Sequence, residues 1–231
     1  HSLRAFSIWG SPNFHSYYTS PSLTCFPFPS SLQKMYLSDV RGMETLAPLS
    51  NLSSLTRLTI WKCMDLSGEG LSSLLDHGQL TDLRIQMTPK FFVRSDPSRL
   101  QQLQTDDIAR VLAPPICSLI SSSLTKLTIG FNHEVERITK EQSEALLLLS
   151  SLQDLEFYSC WKLQSLPTGL HRLVGLKILE IDWCPAICSP PKGGLPSSLQ
   201  ELDVCRCENE ELKRQCRKLR GTIPIIKDRE Y

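Results

Sequence analysis

The chain has 231 residues, 41% of them hydrophobic and 21% charged, with a formal net charge of +1. This composition can bury a continuous core and is not that of a disordered chain. The small net charge argues against a general electrostatic hold on nucleic acid or a membrane surface, and no run approaches the roughly 18 apolar residues that a membrane span needs.

Near copies of one stretch recur along the chain. They are SLRAFSIWG at Ser2 to Gly10, SSLQKMYLSDV at Ser30 to Val40, SSLTRLTIWKC at Ser53 to Cys63 and GQLTDLRIQMT at Gly78 to Thr88. Four more follow, SSLTKLTIGFN at Ser122 to Asn132, SSLQDLEFYSC at Ser150 to Cys160, VGLKILEIDWC at Val174 to Cys184 and SSLQELDVCRC at Ser197 to Cys207. The opening leucines, Leu3, Leu32, Leu55, Leu80, Leu124, Leu152, Leu176 and Leu199, are 29, 23, 25, 44, 28, 24 and 23 residues apart. Six of those seven gaps lie at or near the length of a leucine-rich repeat, whose strand segment is L-x-x-L-x-L-x-x-N/C. The leucines of each copy point inward, the residues between them alternate outward, and neighbouring units stack as a parallel sheet to complete each other's core.

In chain order, Ser11 to Pro29 holds Pro12, Pro21, Pro27 and Pro29 among aromatics and reads as irregular chain on the convex side. Leucines between Val40 and Ser54 pack behind the strand, and Leu71 to His77 reads as a short helix ending at Gly78. The 44-residue interval is the one irregularity, an insertion or a degenerate repeat near residues 89–121. Phe91, Phe92 and Val93 are candidates for its degraded strand, and Thr105-Asp106-Asp107 ahead of IARVLA fits a capped helix that Pro114-Pro115 stops. The repeats, about eight to ten of them, are expected over residues 1–207, with a helical cap over 208–231. In that cap Leu212, Cys216 and Leu219 form one apolar stripe, acidic Glu210 and Glu211 begin the helix, and Lys218 and Arg220 end it before Gly221. The fold class is therefore α/β, a leucine-rich repeat solenoid with a curved parallel sheet, an irregular or helical convex side and a C-terminal helical cap.

The nine cysteines are an odd number. Cys63, Cys160, Cys184 and Cys207 end the strand segment, where a small side chain with a weak donor fills the inward place that Asn takes in other repeats. Structural thiols favour a reducing compartment, whereas the sequon Asn51-Leu52-Ser53 points weakly the other way. Cys184, Cys188, Cys205, Cys207 and Cys216 are close enough in sequence to raise a zinc site, but two of them already serve the ladder and C-x-C is not the usual chelate spacing. No metal ligand set, cofactor site or catalytic group is assigned: the chain has no G-x-S-x-G, no H-E-x-x-H and no G-x-x-x-x-G-K-[ST], and its five histidines are scattered.

Three segments resemble a known family. SSLQDLEFYSCWKLQSLPTGLHRL, the Cys184 to Val204 segment, and the ending EELKRQCRKLRGTIPIIKD are similar to the C-terminal leucine-rich repeats of plant intracellular nucleotide-binding immune receptors, especially those of cereals. The insertion segment TDDIARVLAPPICSLISSSLTKLTI is similar to the same source, so the specific resemblance covers the chain from about Thr105 onward. It implies a non-enzymatic recognition module in the cytoplasm, which senses a pathogen effector protein or restrains the receptor's own nucleotide-binding domain. It also implies that any oligomer forms only through domains outside this chain. The first residue is His1 rather than Met, so the chain reads as a fragment or a processed product. A substrate adaptor of a ubiquitin ligase and a scaffold without ligand are the alternatives, the latter requiring the aromatics to fold inward.

The candidate partner-binding residues are those facing outward from the sheet. Tyr36, Arg57, Trp61, Lys62, Arg84, Lys126 and Phe131 come from the earlier units, whose outward charges sum to a positive patch. Asp154, Glu156, Tyr158, Glu180, Asp182, Trp183, Glu201 and Asp203 come from the later ones, which read as acidic. Solvated faces seldom carry aromatics in this number, and Trp, Tyr and Arg are enriched at binding hot spots. Phosphate would be repelled by the acidic units, so nucleic acid is not an expected partner.

Overall fold

The computed structural model describes residues 3–11, 28–191, 193–207 and 209–228. The expected irregular stretch Ser11 to Pro29 lies almost entirely outside them. The chain divides into two compact units, His1–Gln104 and Thr105–Tyr231.

In the first unit, strands β1 (Ala5–Trp9), β2 (Lys34–Ser38), β3 (Arg57–Trp61), β4 (Asp82–Gln86) and β5 (Gln102–Thr105) follow one another in sheet order. Pairing is parallel, with Lys34 opposite Arg57 and Arg57 opposite Asp82. In the second unit, β6 (Lys126–Gly130), β7 (Asp154–Tyr158), β8 (Ile178–Asp182), β9 (Glu201–Asp203) and β10 (Ile225–Lys227) do the same. Equal positions of successive repeats face each other, so inward residue meets inward residue, as Leu37 meets Ile60 and Leu155 meets Leu179. Leu55, Leu58 and Ile60 are at most 2% exposed, as are Leu152, Leu155 and Phe157. This is the leucine-rich repeat solenoid expected from the periodicity.

Seven residues past each of the eight opening leucines the chain leaves the strand through a left-handed residue. These are Gly10, Asp39, Lys62, Met87, Phe131, Ser159, Trp183 and Arg206, with φ between 50° and 58°. The next residue turns back into the core. There Cys63, Cys160, Cys184 and Cys207 are wholly buried, as the sequence suggested, and each thiol lies near a carbonyl of the preceding repeat. Cys207 Sγ is 3.2 Å from the Ile181 oxygen and Cys184 Sγ is 3.4 Å from that of Phe157. Thr88 and Asn132 hold the same place with oxygen and amide donors, Thr88 accepting from the Cys63 amide and Asn132 donating to the Asp106 carbonyl at 2.7 Å.

Behind the sheet the returns are short. Helix α1 (Leu71–Asp76) buries Leu71, Leu74 and Leu75 and ends before left-handed Gly78, as read from the sequence. The long interval departs from expectation in two ways. Phe91, Phe92 and Val93 form turns rather than a strand, with Phe91 and Phe92 buried edge to face at 5.8 Å. The strand is instead β5, whose Gln102 amide bonds to the Thr81 carbonyl at 2.8 Å. This makes Leu100 the missing opening leucine, 20 residues after Leu80 and 24 before Leu124. Thr105, fully buried, stands where the third leucine would be, which hid the repeat.

In the second unit, Asp107 caps α2 (Ile108–Val111) by accepting from the Arg110 amide at 3.1 Å. Pro114 and Pro115 do more than stop it. They open α3 (Pro114–Ile120), because proline in the first turn forfeits an amide that has no partner there anyway. Helix α4 (Lys140–Leu146) starts with a capping box between Thr139 and Gln142.

At the end of the chain, α5 (Glu210–Arg217) is capped by Asn209, buries Leu212 and Cys216, and returns to β10, which pairs with β9. Arg217 and Arg220 both reach Asp228 just past β10, the former at 2.5 Å. Lys213 is 1% exposed, a burial its sequence neighbourhood gave no sign of; its ammonium lies 3.3 Å from Glu210. Among the described residues no helix is long and apolar enough to cross a membrane.

Two substitutions test these assignments. Leu179→Ala, at a side chain with no exposed surface, should lower unfolding stability by about 2–5 kcal/mol in a urea titration. Met87→Gly should raise it by about 1 kcal/mol by removing a side chain from left-handed backbone.

Candidate functional site

Outward strand positions carry the candidate residues because a strand alternates its side chains and the leucines claim the other face. The burial patterns agree: β3 and β7 alternate half-buried and buried from Arg57 and Asp154 onward. The aromatics are not folded inward. Trp9 is 67% exposed, Trp183 40% and Phe131 39%, and Tyr36, Trp61 and Tyr158 are half-buried.

On the first unit Trp9 and Tyr36 sit with ring centroids 4.9 Å apart, and the Lys62 ammonium lies 5.7 Å from the Trp61 ring. The cations expected to make this face positive are largely spoken for. Asp82 accepts from Arg57 at 2.5 Å and from Arg84 at 3.2 Å, while Lys62 reaches Asp39 at 3.4 Å. The outward positions therefore hold four cations, Lys34, Arg57, Lys62 and Arg84, against two carboxylates, Asp39 and Asp82.

The second unit is different in kind. Lys126, grouped by sequence with the positive patch, belongs to this acidic face and binds Asp154 at 2.7 Å, with Glu156 at 3.7 Å and Glu180 at 4.0 Å. Burial weakens its charge, yet its hydrogen bond to Asp154 and the three carboxylates together hold its ammonium above the usual lysine range. The Thr128 hydroxyl donates to Glu156 at 2.9 Å. Arg206 binds Asp182 through both oxygens and lies 5.9 Å from the Trp183 ring, and Lys227 binds Glu201. Lys227 and Thr128 are partners that the sequence reading did not include, since neither is outstanding in its own repeat. At Gly130 a Cβ would stand 3.2 Å from the Tyr158 carbonyl oxygen, a tight approach that glycine relieves, and Phe131 meets the Tyr158 ring edge-on at 5.0 Å.

Glu180 is the perturbed group. Burial, then the charge of Glu156, raise its carboxyl to about 7; Lys126 opposes this, and Asp154 and Asp203 add to it. Burial likewise disfavours the thiolate of two cysteines, pushing Cys117 up to about 12 and Cys216 to about 11. Among the described residues no group of three or more His, Cys, Asp or Glu is arranged to hold a metal ion.

No protein-family description matches the chain, and no curated protein does. Among solved structures it is similar to the leucine-rich repeat domain of the type III effector XopL, at 20% identity and a TM-score of 0.53, over 97% of this chain and 76% of that one. An internalin, InlF of Listeria monocytogenes, is similar at 13% identity and a TM-score of 0.36, over 99% and 82%. The first likeness supports the repeat fold.

The Glu180 shift has a defined consequence. The unfolded chain releases this proton near 4.5 and the folded chain near 7, so its contribution to stability is fully present below 4.5 and is lost as pH rises through 7. Glu180→Gln should therefore raise the urea midpoint relative to the parent protein at about pH 8 and leave it nearly unchanged at about pH 4.

Proposed function

We propose that this chain is the recognition region of a plant intracellular immune receptor, and that the outward face of its sheets contacts a partner protein. The observation that carries the contact role is the set of large aromatics held out of the core on strand positions. Phe131 and Trp183 even occupy left-handed backbone, where bulky residues are disfavoured. A scaffold without a ligand has no use for that cost and would turn these rings inward.

The receptor reading draws on the resemblance of the segments from Thr105 onward. The partner is a pathogen effector protein, or the receptor's own nucleotide-binding domain held inactive in the cytoplasm. A ligand would act by binding the active arrangement more tightly than the resting one, since equal affinity for both shifts nothing. The chain itself carries no catalytic role in this reading and calls for no cofactor.

Two measurements test it. The coding sequence upstream of His1 is expected to encode a nucleotide-binding domain, whereas an F-box-like helical segment there would favour the ubiquitin-ligase adaptor. Where such a domain is found, it should co-purify with the repeats, and Trp183→Ala should weaken that association by about tenfold or more. Unchanged co-purification with Trp183→Ala and Phe131→Ala would remove the outward aromatics from the account.

A further inference from the structure

Strands β7, β8 and β9 bring Glu156, Glu180 and Asp203 into direct register, one carboxylate on each of three adjacent strands. Like charges directly opposite one another weaken a sheet. The outer two have local partners, the Thr128 hydroxyl for Glu156 and the Cys205 amide for Asp203 at 2.9 Å. Glu180, between them, accepts no hydrogen bond from the described residues. Its nearest cation, Lys126, stands 4.0 Å away and is engaged with Asp154 at 2.7 Å. Lys227, at the other end of the row, is engaged with Glu201. Five carboxylates, Asp154, Glu156, Glu180, Glu201 and Asp203, thus share two ammonium groups.

An aromatic surface adjoins this row. Tyr158 follows Glu156 by two residues on the same face of β7, opposite Asp182, and is therefore diagonal to Glu180. The Asp182–Arg206 pair and Trp183 flank it. No metal-holding geometry exists among the described residues, so the charge that is missing here fits an organic cation.

We propose that this face of the second unit docks a basic polypeptide segment, with an arginine side chain of the partner seated over Glu180 between Glu156 and Asp203 and its stem against Tyr158. A guanidinium suits the position because its planar fork can take a hydrogen bond from more than one carboxylate while its face rests on an aromatic ring. The proposal rests on reading the outward face as a binding surface, and adds the sign and place of the partner's charge. Glu180 is half-protonated near pH 7, and the groups facing it are Asp154 and Glu156 from β7, Lys126 from β6, Glu201 and Asp203 from β9 and Lys227 from β10. Docking therefore strengthens as pH rises through that range.

The test uses the full chain and a fluorescent glycine-serine peptide bearing arginines, followed by anisotropy at low salt, beside counterparts with citrulline or glutamate in place of arginine. The arginine peptide should bind more tightly than the citrulline one, and more tightly at about pH 8 than at about pH 6. Glu180→Gln should weaken it by about threefold and flatten the pH dependence, whereas Glu141→Gln, exposed in the first turn of α4, should not. A cooperative urea transition with a midpoint at or above that of the parent protein shows that each variant is folded. Equal binding of arginine and citrulline peptides, preference for the glutamate peptide, or no effect of Glu180→Gln overturns the proposal. If Tyr158→Ala weakens both arginine and citrulline peptides alike, the face binds without using its charge: the inference fails and the contact role stands.

Discussion

No repeat of this chain can keep its own leucines dry, and the rest of the structure depends on that. Leu155 and Phe157 are shielded only because Leu127 and Ile129 lie against one side and Leu179 and Ile181 against the other. Parallel pairing in equal register is the arrangement that stacks inward residue on inward residue. The same register stacks the outward residues, so any chemistry repeated at one motif position becomes a row on the surface. The acidic row of the second unit is a product of core packing as much as of its own side chains.

The left-handed turn is the second consequence. Each repeat must leave the strand sharply enough to place the next residue back in the core, where a thiol or amide meets a carbonyl of the neighbouring repeat, or a hydroxyl meets its backbone N–H. Lys62, Phe131, Trp183 and Arg206 occupy that turn although glycine would fit it with less strain. Their side chains are thereby thrown outward beside the strand face. Strain in the scaffold and presentation of cations and aromatics are one geometric fact.

Electrostatically the two units solve opposite problems. On the first, cations outnumber carboxylates, and Asp82 is shared by Arg57 and Arg84. On the second, carboxylates outnumber cations, and Lys126 is stretched toward three of them. Exposed pairs of this kind add little stability individually. Their effect is to leave particular groups, Glu180 above all, with less compensation than their burial asks for.

Much of this was legible in the sequence. The L-x-x-L-x-L spacing and the outward alternation were written in eight copies and the inward cysteine in four, and repetition lets weak local signals reinforce one another. The helices at Leu71 and Ile108 had their stop or cap residues in place. Where a single copy departed from the pattern, legibility failed: Thr105 in place of leucine concealed β5, although Leu100 and Leu103 kept the spacing. Phe91 and Phe92 were apolar enough for a strand, but only packing decided that they fill the core from turns. Lys213 is buried because β10 returns to β9 and brings Asp228 close to α5, a contact made 15 residues further along the chain. The sequence by itself determined the repeat, its inward ladder and the kinds of side chain offered outward, because these follow from local period. The tertiary structure alone decided which charges meet, moving Lys126 onto the acidic face and leaving Glu180 between two carboxylates, because register joins residues more than 20 positions apart.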